Sequence, residues 1–146
     1  LKLGETYEPF LPFFREAELR HGRTAMLAVV GFIATDFVRI PGDLYSFEAI
    51  PSTVAAHDAL LRSGPMLQLV LWISLFDFII TSPAVVATMK GEREPGDFGW
   101  TKFAPKDPAA FQKKRDSELL NGRLAMFAVG GIATQTVITG HGFPYI

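Results

Sequence analysis

The 146-residue chain contains no cysteine. Disulfides and thiolate metal sites are therefore excluded, while the redox compartment stays undetermined. Charge of one sign is not in excess either: 14 Lys and Arg face 15 Asp and Glu, a formal net charge of −1. That balance gives no reason to expect a nucleic-acid partner. No GxxxxGK[ST], HExxH or GxSxG stretch occurs, and no nucleophile–base pair is visible, so the chain reads as a non-enzyme. No secretory or transit pattern precedes Leu1, and the sequence reads as starting at a mature or truncated end, with targeting information outside it. The length suits a single domain spanning 1–146. What is abundant is apolar: 49% of residues, with 13 Phe, 13 Gly and 10 Pro.

One stretch occurs twice. Glu18-Leu19-Arg20-His21-Gly22-Arg23-Thr24-Ala25-Met26 returns as Glu118-Leu119-Leu120-Asn121-Gly122-Arg123-Leu124-Ala125-Met126. Each copy sets a carboxylate, a His or Asn and an arginine at the head of an apolar run. On a helix, residues five apart lie about 140° round the axis, so Glu18 cannot face Arg23, nor Glu118 face Arg123. If the two helices cross about a two-fold axis, Glu18 reaches Arg123 and Glu118 reaches Arg23. All four charges are then neutralised, as an apolar surrounding requires. Each carboxylate keeps an oxygen to spare, a hard donor suited to a magnesium-like cation. His21 and Asn121, near the same faces, each add a neutral lone pair. Gly22, Ala25, Ala28 and Gly31, with Gly122, Ala125, Ala128, Gly130 and Gly131, permit close backbone approach and leave flat surface for a planar ligand. The alternative is that the pairs are purely structural and lock a membrane hairpin.

Three helices are expected, over about 13–39, 65–89 and 108–139, after an irregular lead-in. Pro41-Gly42 closes the first. Pro65 opens the second, and Pro83 either kinks or ends it. Asp107-Pro108 caps the third and Gly140 stops it. A short amphipathic piece, 54–61, lies between the first two and suits a membrane surface. The apolar core 24–38 is shorter than the ~20 residues of a membrane span until the neutralised 18–23 turn is added. Asp77, inside Leu75-Phe76-Asp77-Phe78-Ile79, is a functional candidate because an ionisable group in a span needs a partner. Lys90, Arg93, Lys102, Lys106, Lys113, Lys114 and Arg115 all fall at the second loop and third-helix start. Three spans place that loop and the N-terminus on one, basic side. The expected fold is thus an all-α membrane protein of three transmembrane helices, the first and third crossed as a pseudo-two-fold pair, the second alongside. A soluble helical bundle is the competing architecture.

At these residues the chain resembles the light-harvesting chlorophyll-binding proteins of thylakoid membranes, over essentially its whole length. The loop with Ala56-His57-Asp58, the Gln68…Asp77 helix and the Pro95-Gly96-Asp97-Phe98-Gly99 turn look most like the chlorophyll a/c branch, with fucoxanthin or peridinin; a red-algal chlorophyll a type is also similar. The resemblance implies that Glu18 and Glu118 ligate chlorophyll magnesium while paired with Arg123 and Arg23. It implies that His21, Asn121 and Gln135 ligate further chlorophylls, and that Gln68 is another ligand. Asp77 stands where that branch often has glutamate, its shorter side chain calling for a bridging water. His57 is a further candidate ligand, against a reading as a surface histidine. Trp72 and Trp100 read as core or interface anchors. Tyr145-Ile146 ends where many members continue into an amphipathic helix bearing a histidine ligand, so that site is expected to be missing.

The implied role is an antenna subunit in the plastid thylakoid membrane, holding chlorophyll a, chlorophyll c and carotenoids (fucoxanthin-, peridinin- or zeaxanthin-type). Its partners would be a photosystem core, neighbouring antenna subunits and thylakoid lipids. A photoprotective quenching member of the same family, and an unpigmented membrane assembly or transport protein with structural ion pairs, are the rival readings.

Overall fold

The computed structural model describes residues 8–100 and 103–146. Among them every regular element is helical. Helix α1 is Leu11–Phe37, entered through a single 3-10 turn, Glu8–Phe10. It starts inside the stretch expected to be irregular. Pro12 sits in its first turn, where a missing N–H leaves no bond unmade. It ends at Phe37, two residues short of the expected limit. Arg39 has left the helix to donate to the Ile50 carbonyl at 3.1 Å and to stack over the Phe47 ring.

Helix α2 is Thr53–Ser63 and ends on Gly64, whose positive φ of 106° turns the chain directly into the next helix at Pro65. Helix α3 runs Pro65–Met89. It is α-helical over Pro65–Phe76, π-helical over Asp77–Thr81 and α-helical again over Ser82–Met89. Pro83 therefore does not end it. The proline ring follows the wider π turn, which relieves the clash that it would make with the preceding turn of an α-helix. The Ser82 hydroxyl donates to the Asp77 carbonyl at 2.9 Å across the same turn. Helix α4 is Pro108–Thr139, capped by Asp107 accepting from the Ala110 amide at 2.9 Å and closed by left-handed Gly140. Its 32 residues span about 48 Å at the α-helical rise.

Helices α1 and α4 make the principal contact, and small residues set it. A Cβ built on Gly22 would lie 3.0 Å from Gly122 Cα, and one on Gly122 would lie 3.0 Å from Gly22 Cα. Ala25 and Ala125, one turn on, are buried in the same seam, followed on α4 by Ile132 and Thr136. Little else forms an interior. Phe127 is 83% exposed and Val137 82%, and the large side chains of α3, Trp72 among them, point outward. Trp72 and Trp100 are thus not core residues. So much outward apolar surface calls for a non-aqueous covering.

Of the three expected spans, only Pro65–Met89 is long and apolar enough to cross a membrane on composition alone, among the described residues. The ionic turns at Glu16 to Arg23 and at Glu118 to Arg123 interrupt the apolar runs of α1 and α4.

Candidate functional site

Two ion pairs bracket the glycine contact. Arg23 Nε donates to Glu118 Oε1 at 2.7 Å. Arg123 offers both Nε and an Nη to Glu18 Oε1, each at 2.7 Å. The repeat supplies the reason: an arginine one step past the contact glycine faces the opposing helix, where a glutamate four steps before the other glycine meets it. The two pairs differ in what they leave open. Glu118 Oε2 has no partner among the described residues. Glu18 Oε2 accepts from Arg15 Nη1 at 2.9 Å, so the expectation of a spare oxygen on both carboxylates is corrected at Glu18. Arg15 is three residues back on the same helix, close enough to fold over that oxygen.

His21 and Asn121 each turn one polar atom back onto their own helix. The Ala17 carbonyl lies 2.7 Å from His21 Nδ1, and a carbonyl only accepts, so Nδ1 carries the proton. Nε2 is thereby the atom with the lone pair, in the arrangement that orients ligating histidines. The Asn121 amide nitrogen donates to the Ser117 carbonyl at 2.8 Å and to its hydroxyl at 3.2 Å. That leaves the amide oxygen as the outward acceptor. Both residues are exposed.

The other candidates separate. Gln135 and Gln68 are exposed and their side chains have no hydrogen-bond partner among the described residues. Asp77 is different: Arg20 donates to its Oδ2 in an ion pair, and the Thr81 hydroxyl donates to its Oδ1 at 3.0 Å. Both of its oxygens already accept, as those of Glu18 do. His57 stands on the exposed face of α2 with Nδ1 3.0 Å from Asp58 Oδ1, far into solvent. The structure brings His57 together with no other candidate.

Sequence reasoning missed a buried ionic cluster beside the site. Glu16 is 3% exposed. Arg93 reaches it through Nη2 at 2.8 Å and Nη1 at 3.3 Å, and the Gly96 amide donates to it at 2.6 Å. Arg93 also donates to the Thr88 hydroxyl at 3.0 Å and the Asp97 carbonyl at 2.7 Å, and stacks 4.7 Å over Phe98. Arg93 is therefore spent on packing and is not one of the free basic charges of the loop; Lys102 lies outside the described residues. Arg23 Nη1 joins from the far side by donating to the Gly96 carbonyl at 2.9 Å. Gly96 stands at φ +79°, a left-handed conformation that favours glycine, and a Cβ there would also press on the Leu19 Cδ1 and Arg23 side-chain ends. The signal was present in Pro95-Gly96-Asp97, but its partner lies 80 residues away.

Each paired glutamate opens on a cleft. One, of ≈ 1120 Å³, is lined by Leu11, Phe14, Glu18, His21 and Met126. The other, of ≈ 1420 Å³, is lined by Arg23, Leu27, Phe76, Trp100 and Glu118. The donors are scattered, and no three metal-ligating side chains converge among the described residues. A bare hard cation would find one protein donor where it takes about six. A metal that arrives inside a macrocycle would need only one further donor, and Glu118 Oε2, His21 Nε2 and the Asn121 oxygen are each single open acceptors.

Comparison with known proteins bears on the family. The family model described as chlorophyll A-B binding protein matches residues 2–137. A fucoxanthin-chlorophyll a-c binding protein of Chattonella marina var. antiqua is 31% identical over 145 residues, covering 96% of this chain and 65% of its own length. Fucoxanthin-chlorophyll a-c binding protein F of Phaeodactylum tricornutum is 35% identical over 127 residues, covering 79% and 60%. Light-harvesting complex stress-related protein 1 of Chlamydomonas reinhardtii is 29% identical over 135 residues, covering 86% and 53%. The chain thus spans less than two thirds of the length of these curated relatives. With its doubled Glu-x-x-His/Asn-Gly-Arg segment and a family match over nearly its whole length, the chain belongs to the chlorophyll A-B binding protein family.

Proposed function

We propose that the chain is a light-harvesting antenna subunit that holds chlorophylls and carotenoids in a plastid thylakoid membrane and passes excitation to a photosystem. The observation that carries this is the open Glu118 Oε2: a carboxylate already neutralised by Arg23 yet keeping a free oxygen on a large cleft. A structural ion pair alone does not need that oxygen.

In this reading α1, α3 and α4 all span the membrane, α1 and α4 crossing as a pseudo-two-fold pair at Gly22 and Gly122. The pairs Arg23–Glu118 and Arg123–Glu18 make the two charged turns compatible with lipid by removing net charge. The basic residues Lys106, Lys113 and Lys114 lie on the side that carries the N-terminus. Glu118, Asn121, His21, Gln135 and Gln68 act as axial donors. Glu18 joins them once Arg15, a half-exposed side chain held by this one bond among the described residues, releases Oε2, Arg123 alone then neutralising the carboxylate.

Bound chlorophyll supplies light absorption and the excited state; the protein supplies position, orientation and dielectric surroundings. The chain turns nothing over. The fucoxanthin-chlorophyll a-c names of the relatives support chlorophyll a with chlorophyll c and a fucoxanthin-type carotenoid, a peridinin- or zeaxanthin-type being the other candidates. Neighbouring antenna subunits and thylakoid lipids would cover the outward apolar faces.

The experiment is a fluorescence excitation spectrum of the purified pigmented protein. Light absorbed by the carotenoid should produce chlorophyll emission. Carotenoid absorption that never appears in the excitation spectrum would reject energy collection by this chain.

A further inference from the structure

Asp77 lies in the middle of the most apolar helix and, like Glu18, is engaged on both carboxylate oxygens. Residues nine apart on an α-helix lie about 180° apart. Asp77 and Gln68 therefore occupy opposite faces of α3 and cannot serve pigments on one face. Arg20 precedes Gly22 by two residues, which puts it about 160° round α1 from the contact with α4. It looks towards α3 and away from the crossed pair. There it meets Asp77 Oδ2, while Thr81 occupies Oδ1 and Ser82 holds the Asp77 carbonyl. The carboxylate is engaged on both oxygens, and it opens a π-helical segment, a feature often found where a helix is adapted to a special contact.

We infer that Asp77 is the anchor that fixes α3 to α1 through Arg20 and is not an axial ligand, so this chain binds no chlorophyll at that position. The inference rests on the antenna reading above. Arg20 is then the residue that decides it. A guanidinium in an apolar surrounding needs a carboxylate as much as the reverse, and Asp77 is its only ion-pair partner among the described residues. Together with the Glu16–Thr88–Arg93 cluster near the end of α3, the pair gives the second long helix two polar fastenings to the first. Those two points set the tilt and rotation of α3, and with them the direction in which Gln68 faces.

The test counts chlorophylls per chain, by extraction from protein assembled with its pigments, in wild type, Arg20→Leu, Asp77→Leu and the double variant. It also measures the temperature at which pigment is released. Either single variant strands a charge and should lower that temperature or prevent assembly. Arg20→Leu/Asp77→Leu strands none; it should assemble, recover most of the lost thermal stability, and carry the wild-type number of chlorophylls. One chlorophyll fewer in the double variant would overturn the inference and make Asp77 a ligand. Additive losses, with no recovery in the double variant, would also overturn it. A wild-type protein that folds without any pigment would reject the antenna reading itself, a separate outcome from either.

Discussion

Arg23 binds Glu118 at 2.7 Å through Nε and the Gly96 carbonyl at 2.9 Å through Nη1. One guanidinium on the first long helix thus holds both the last helix and the loop that leads towards it. Its counterpart, Arg123, holds only Glu18, and shares it with Arg15. The sequence repeat produces two similar ion pairs, and the loop makes them unequal.

That inequality predicts unequal mutants. Arg23→Leu leaves Glu118 with no cation and the Gly96 carbonyl with one donor fewer, and should abolish pigmented assembly. Arg123→Leu leaves Glu18 still bound to Arg15, and should assemble at reduced yield and stability. Yields of pigmented protein, compared side by side, check the order; equal losses would show that the loop contact and Arg15 contribute nothing.

Gly122→Ala places a methyl 3.0 Å from Gly22 Cα, where only backbone stands to give way. Overpacking of this kind costs about 1–3 kcal/mol. The thermal transition should fall accordingly.

Asn121→Leu removes an acceptor that no protein group uses and a donor bonded only within its own helix. One chlorophyll should be lost from the extracted total while the helical circular dichroism stays as in wild type. An undiminished count would take Asn121 out of the ligand set.

Glu16→Leu strands Arg93 and the Gly96 amide in a site where the carboxylate is 3% exposed. Removing one partner of a buried pair costs about 3–5 kcal/mol. The variant should melt well below wild type, and adding Arg93→Leu should restore part of the loss. Additive losses in the double variant would indicate that the pair does not act as a unit.

The residues most legible in the sequence were those whose meaning is local or repeated. Asp107 and Gly140 mark the ends of α4 because capping and left-handed backbone are one-residue properties. The five-residue spacing of Glu18 and Arg23 excluded a pair on one helix, which pointed to the opposing copy. Pro83 stayed ambiguous because a π turn, which lets the helix pass it, has no sequence signature of its own. Arg20–Asp77 and Glu16–Arg93 join residues 57 and 77 apart. Neither partner can be identified until the rotation of α3 against α1 is known. Arg15 over Glu18 is within reach of spacing rules, at three residues, but the same carboxylate also pairs with Arg123, and spacing alone does not assign its two oxygens.

The central claim is that the open donors of this fold hold chlorophyll. Gentle purification of the native protein, followed by pigment extraction and chromatography, tests it most directly. Chlorophyll a, with chlorophyll c and a fucoxanthin-type carotenoid, is the predicted result. A stable, folded and colourless protein would contradict it and leave Arg23–Glu118 and Arg123–Glu18 as structural ion pairs.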